Sequence, residues 1–175
     1  MTVTRKTMKI AFLDRDGTIS ADYPDDQWKQ ITTPVFIDGT FEAMRLFRSK
    51  GYDIIIITNQ YLIGEGYITQ KQHDAYAKKF RDHIKAADID ILDSFYCPHA
   101  RDEGCACSKP KPGMIRAACK KYPKINMDQS FYAGDWDVDI ILANTVGIRA
   151  FGIGVDNPDL DYTRVSSLLE IADYI

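Results

Sequence analysis

Apolar runs and helical stripes take turns along this chain. The first run, Ile10–Leu13, is continuous and stops at two acids. After a polar loop, Ala21–Thr33, an amphipathic helix carries Phe41, Met44 and Phe47 at helical spacing, and Gly51 suits its C-terminal end. Asp53–Thr58 is the second strand; its four isoleucines without polar alternation predict burial on both faces. Gly64 and Gly66 loosen the next loop. Thr69-x-x-Gln72 has the form of a capping box, opening a helix whose buried stripe is Tyr76, Phe80 and Ile84. His73 and His83 are expected off that stripe, at the surface. Leu92–Tyr96 is the third strand. Pro112 suits the start of a helix with Met114, Ile115, Ala118 and Cys119 on one face. Gln129–Ala133 is the fourth strand, Ile140–Asn144 a helix and Arg149–Gly152 the fifth strand. A last helix is expected through Val165, Leu168, Leu169 and Ala172.

Composition narrows the classes. The 175 residues suit one domain with a full core, and 45% hydrophobic with 27% charged residues is ordinary for a soluble globular protein. A net charge of −3 offers no general attraction to nucleic acid or an anionic membrane. No apolar run approaches the ~20 residues of a membrane helix. The start, MTVTRKTMK, has basic residues but no apolar segment of signal type, so the cytoplasm is the expected compartment. Of four cysteines, three fall between Cys97 and Cys107; in a reducing compartment that clustering favours a metal over disulfides.

The candidate chemistry sits where apolar runs end. Asp14-Arg15-Asp16-Gly17-Thr18 follows the first strand, and strand ends are where open parallel sheets bind ligands. Residues two apart in extended chain face the same way, so Asp14 and Asp16 can converge, and converging carboxylates call for a cation or a shared proton. A polar turn is the plain alternative. Thr58-Asn59-Gln60 ends the second strand with a hydroxyl and two amides able to bind phosphate oxygens, or merely to form a turn. Cys97-Pro98-His99 and Cys105-Ala106-Cys107 make a Cys₃His set suited to structural Zn²⁺; buried small cysteines are the alternative, against which the Gly- and charge-rich loop argues. Lys109 is presented on a proline-stiffened segment. Gly134-Asp135-Trp136-Asp137-Val138-Asp139 ends the fourth strand, and its acids can cap the next helix.

Taken together, the D-x-D-G-T string, the T-N-Q strand end, Lys109 and G-D-x-x-x-D resemble the four motifs of the haloacid dehalogenase (HAD) superfamily, the aspartate-nucleophile phosphatases. With C-P-H…C-x-C-x-K-P-K-P-G, the chain is similar to the zinc-loop branch, which includes heptose 1,7-bisphosphate phosphatase and the histidinol-phosphate phosphatase domain. The resemblance implies an α/β fold: a Rossmann-like open parallel sheet flanked by helices, with a zinc loop over 97–107 and no large cap domain. It implies Mg²⁺ held by Asp14, Asp135 and the backbone carbonyl of Asp16, with Asp139 in support. It also implies a nucleophile in Asp14, a general acid and base in Asp16, and phosphate-stabilising groups in Thr58 and Lys109. Substrate contacts are expected from Thr58, Asn59, Gln60 and Lys109, and from Trp136 by its position rather than by the family pattern. Cys97, His99, Cys105 and Cys107 take Zn²⁺. The expected substrate is a small phosphorylated metabolite, a sugar phosphate of the heptose bisphosphate type first and histidinol phosphate second, with a monomer favoured.

Two departures from the branch pattern bear on that substrate. Ser108 stands where the branch has Arg, and Trp136 where it has a basic residue. Missing cations weaken the case for a bisphosphate, since a second phosphate wants an Arg or Lys partner. Trp136 offers instead a flat surface for a sugar or imidazole ring. A nucleic-acid end phosphatase is the other enzyme reading, with the acidic balance against it. A zinc-stabilised binding module with an idle site is the non-enzymatic one, with four intact motifs against it.

Overall fold

The computed structural model describes residues 7–175; the N-terminal segment read above for a signal lies partly outside them. Six parallel strands form one sheet: β1 (Lys9–Leu13), β2 (Tyr52–Asn59), β3 (Asp93–Cys97), β4 (Phe131–Gly134), β5 (Arg149–Ile153) and β6 (Thr163–Val165), in the order β3-β2-β1-β4-β5-β6. The helices are α1 (Thr40–Ser49), α2 (Tyr61–Gly64), α3 (Gln70–Ala86), α4 (Gly113–Lys121) and α5 (Asp137–Val146). Among the described residues no helix is long and apolar enough to cross a membrane.

The unbroken apolar strands are unbroken because both faces are covered. Alternate residues of β1 and β2 enter opposite cores. Ala11, Leu13, Ile54 and Ile56 pack with Met44 and Phe47 of α1, Phe80 and Ile84 of α3, and Ile171 near the C-terminus. Ile10, Phe12, Ile55 and Ile57 pack with Met114 and Ile115 of α4 and Ile140 and Leu142 of α5. The result is the three-layer sandwich that parallel strands require. Strand order reverses between β1 and β4, which pair directly, with Leu13 opposite Ala133. Their carboxyl ends therefore open onto one crevice, the position at which open α/β sheets hold ligands.

Several expectations change. His73 is buried, not at the surface: it precedes Tyr76 by three residues and so lies on the same helical face, its ring 4.4 Å from that of Tyr96. Burial lowers its pKa, against the pull of the neighbouring Asp74. The segment Ala21–Thr33 is not all loop. Asp25–Gln30 forms a 3-10 helix, and Trp28 packs with Leu62, Ile68 and Tyr76 in a small third core. Val165 belongs to β6, whose Thr163–Val165 was too short to register as a run; only Leu169–Asp173 is helical, as a 3-10 turn. Helix α5 runs Asp137–Val146, beginning three residues before the expected start at Ile140. The Thr69–Gln72 capping box is present as expected, with Gln72 N–H donating to Thr69 Oγ1 at 3.2 Å and Thr69 N–H to Gln72 Oε1 at 2.8 Å.

Ile56, 1% exposed, lies in the middle of the sheet against α1 and α3. Ile56→Ala is expected to lower unfolding free energy by about 2–5 kcal/mol in urea titrations, as for other large-to-small changes in a tight core.

Candidate active site

Asp14 follows the last residue of β1, and its N–H donates to Ala133 of β4 at 2.9 Å, so the ladder continues into the site. Asp135 follows the last residue of β4. One carboxylate oxygen from each of Asp14, Asp135 and Asp139 lies within 4.8 Å of the others. Two glycines make that approach possible. A Cβ on Gly17 would overlap the Asp135 carboxylate, and one on Gly134 would overlap that of Asp139. Gly17 also has φ +87°, a conformation other residues rarely adopt. Thr18 Oγ1 donates to Asp135 Oδ1 at 3.0 Å.

The ammonium of Lys109 lies between two of these acids, 2.6 Å from Asp14 Oδ1 and 2.7 Å from Asp139 Oδ1. It also donates to the Ile57 carbonyl at 3.2 Å. Burial works against its charge, but Asp139 and Asp14 outweigh burial and raise its pKa. Burial pushes Asp14 well above the usual carboxylate range despite Lys109. Asp135 is pushed up to about 6, by burial first and by Asp139 next. Three acids facing one ammonium leave a formal excess of negative charge matching a divalent cation. The oxygen-only donor set is the kind that hard cations such as Mg²⁺ take. Asp139 is the acid most fully engaged: besides Lys109 it accepts from Tyr132 Oη at 3.1 Å and from the Trp136 N–H at 3.2 Å, so it caps α5 and pairs with the lysine at once.

Asp16 does not point into this cluster. Arg15 grips it through two hydrogen bonds of 2.8 Å, and Gln60 Nε2 donates to it at 2.8 Å. It still lines the cleft beside Asp14, Thr58 and Lys109. Thr58 Oγ1 accepts from Gln60 Nε2 at 2.9 Å. Asn59 turns both ends of its amide to the main chain of Lys109: Oδ1 accepts from the lysine N–H at 2.9 Å and Nδ2 donates to its carbonyl at 3.3 Å. Asn59 thereby fixes the segment that presents the lysine.

That segment leaves a second cluster. The sulfurs of Cys97, Cys105 and Cys107 are 3.1–3.6 Å apart, and His99 Nδ1 is 3.4 Å from Cys97 and 3.2 Å from Cys107. Four thiolates or imidazoles on a tetrahedral zinc at ~2.3 Å would be separated by roughly 3.3–3.8 Å, so the set fits that ion. Burial raises the Cys105 thiol, but the Ser108 and Cys107 amides and the neighbouring thiols outweigh it and bring it to about 7. The loop approaches its surroundings closely at two glycines. A Cβ on Gly64 would strike the Ala100 amide, and one on Gly113 the Ala106 carbonyl.

A cleft of about 410 Å³ opens above the acids. Its lining includes Asp14, Asp16, Thr58, Asn59, Lys109 and the largely exposed Trp136. Two arginines at the site escaped the sequence reading. Arg15 shows no sign of its role in sequence, since a fully extended chain would turn it away from Asp14 and Asp16; the chain leaves the strand at Leu13, and Arg15 folds back on Asp16. Arg101 lies inside the cysteine loop and reaches the cleft wall, held by Glu65 from 36 residues away, a pairing no local signal announces.

Comparison with known proteins agrees with this geometry. The polynucleotide kinase 3 phosphatase family description matches residues 9–146. The D-glycero-alpha-D-manno-heptose-1,7-bisphosphate 7-phosphatase of Photorhabdus laumondii is 37% identical over 165 residues, covering 90% of this chain and 88% of that protein. A Helicobacter pylori D-glycero-beta-D-manno-heptose-1,7-bisphosphate 7-phosphatase is 33% identical over 153 residues, covering 87% of each. A solved D,D-heptose 1,7-bisphosphate phosphatase from B. bronchiseptica, complexed with magnesium and phosphate, superposes with a TM-score of 0.81 at 23% identity, covering 95% of this chain and 97% of its own.

Removing the ammonium would leave Asp14 and Asp139 buried and facing each other. Lys109→Met is expected to cost about 3–5 kcal/mol of stability at neutral pH, the range for orphaning a buried charge. Part of that loss should return as the pH falls and Asp14, whose pKa burial already raises, takes up a proton, which urea unfolding across pH 5–8 would measure.

Proposed function

Because the chain belongs to the polynucleotide kinase 3 phosphatase family of HAD-superfamily phosphatases, we propose that it hydrolyses a small sugar phosphate through an aspartyl-phosphate intermediate with Mg²⁺. The observation that carries this reading is the gathering of Asp14, Asp135 and Asp139 at the β1/β4 crevice with Lys109 between two of them. The heptose bisphosphate phosphatases among its relatives support the sugar. The acid-rich cleft disfavours a polynucleotide, whose phosphates ask for several free cations.

Asp14 and Asp135, with the backbone carbonyl of Asp16, would hold the Mg²⁺. When bound, the ion supplies positive charge that offsets the carboxylates and the phosphate. The chain's own residues do the rest. Asp14 attacks phosphorus in line, forming a P–O bond as the ester P–O bond breaks. Lys109 and Thr58 stabilise charge on the equatorial oxygens. Asp16 gives a proton to the departing alkoxide, then takes one from the water that cleaves the acyl phosphate, a contribution of about 10²–10⁴-fold. Arg15 and Gln60 hold Asp16 against the cleft wall until substrate arrives. Cys97, His99, Cys105 and Cys107 would hold Zn²⁺ as a structural ion, which fixes the segment running into Lys109.

Asp14→Asn is expected to abolish phosphate release, and EDTA to do so until Mg²⁺ is restored. Full activity in Asp14→Asn would remove the nucleophile assignment. For the loop, Cys107→Ser is expected to purify with less than one zinc per chain by elemental analysis and to melt several degrees lower. An unchanged zinc content would remove those ligands.

A further inference from the structure

The outer half of the cleft has a charge balance that the inner half does not explain. Arg101 is the cation of the outer wall, and it is already engaged. Glu65 takes it through two hydrogen bonds of 2.8 and 2.6 Å, and Asp25 accepts a third at 3.0 Å. Its guanidinium lies over the Tyr61 ring, 4.2 Å from the centroid, and Tyr61 Oη donates to the same Asp25 at 2.9 Å. One arginine thus faces two carboxylates behind the wall, and Asp22 is an acid of the lining itself. Deeper in, Lys109 is held by Asp14 and Asp139, and Arg15 by Asp16. Among the described residues, both cations that line the cleft, Arg101 and Lys109, are already paired with carboxylate. The rest of the outer lining is neutral and includes Trp28, Leu62, Ser108, Trp136 and Val138.

An incoming phosphate at the catalytic end would meet the charge of a cation held by Asp14 and Asp135. A second phosphate at the outer end would meet an acidic excess and would have to displace Glu65 from Arg101. Like charges placed together in a binding site cost affinity and set specificity. Resting on the phosphatase reading above, we infer that this cleft takes phosphomonoesters whose alcohol half carries no second phosphate. That half is an uncharged polyol, or one bearing an amine, laid against the Trp136 indole. The chain thus departs in substrate from the bisphosphate phosphatases to which it is similar, while keeping their reacting centre. Glu65 is the positioning residue of this selectivity: it acts by occupying Arg101.

The test compares matched esters on the full chain with Mg²⁺: a heptose 7-phosphate against the 1,7-bisphosphate, and a ketohexose 6-phosphate against the 1,6-bisphosphate, with p-nitrophenyl phosphate as a general ester. The monophosphates are expected to lead in kcat/KM by about tenfold or more, the scale of one unmatched charge contact. Glu65→Gln frees Arg101 and is expected to narrow that gap severalfold by raising kcat/KM for the bisphosphates alone. Bisphosphates that equal or exceed the monophosphates would overturn the inference and leave the phosphatase reading standing. No phosphate release from any of the esters would overturn both. A gap unmoved in a folded Glu65→Gln would overturn the role given to Arg101 and its partners.

Discussion

The packing of like charge at one point is the constraint to which the rest of this structure answers. Three carboxylates within 4.8 Å of each other cannot stay ionised in a buried place unaided. Lys109 supplies part of the answer, and its own position is over-determined. Asn59 holds its main chain, Asp14, Asp139 and the Ile57 carbonyl hold its ammonium, and the cysteine loop sets where its segment begins. A lysine with a flexible four-carbon stem becomes a fixed point charge only through such bracing. The residual negative charge then suits the site to a divalent cation.

The sheet is what brings the acids together. Asp14 and Asp135 are 121 positions apart in number, yet each sits one step beyond a strand, and those strands are neighbours. Parallel pairing aligns their ends, and reversal of strand order on either side keeps helices from covering them. The two apolar cores hold that alignment from both faces. Stability and chemistry are joined here through register: a slip of β1 against β4 would separate the acids before it exposed the core.

Much of this was legible in the chain. The isoleucine run Ile54–Ile57 marks a strand covered on both faces, because nothing else makes four consecutive β-branched apolar residues worth burying. The acids after β1 and β4 stand out because they interrupt apolar runs abruptly. What was not legible depends on contacts between distant turns. His73 reads as polar and therefore exposed, while its helical phase places it inside. β6 is three residues long and carries Arg164 in its middle, so it shows no run. Arg101 and Glu65 are each an unremarkable surface charge in sequence; only the seating of the cysteine loop on the end of α2 makes them partners. Asp139 could be read as a helix cap or as a supporting acid, and the fold makes it both.

The cleft is made of two kinds of material. Its floor comes from strand ends; its walls come from a 3-10 helix, a short helix and a loop, which tolerate replacement far better. Gly17 and Gly134 show how little slack the floor has, since a single methyl at either would drive an acid out of place. For protein engineering this divides the molecule cleanly. A library intended to redirect the enzyme would randomise Asp22, Tyr61, Glu65, Arg101 and Trp136 and leave both glycines untouched. Any clone recovered with a changed glycine would be expected to be dead whatever its walls had gained.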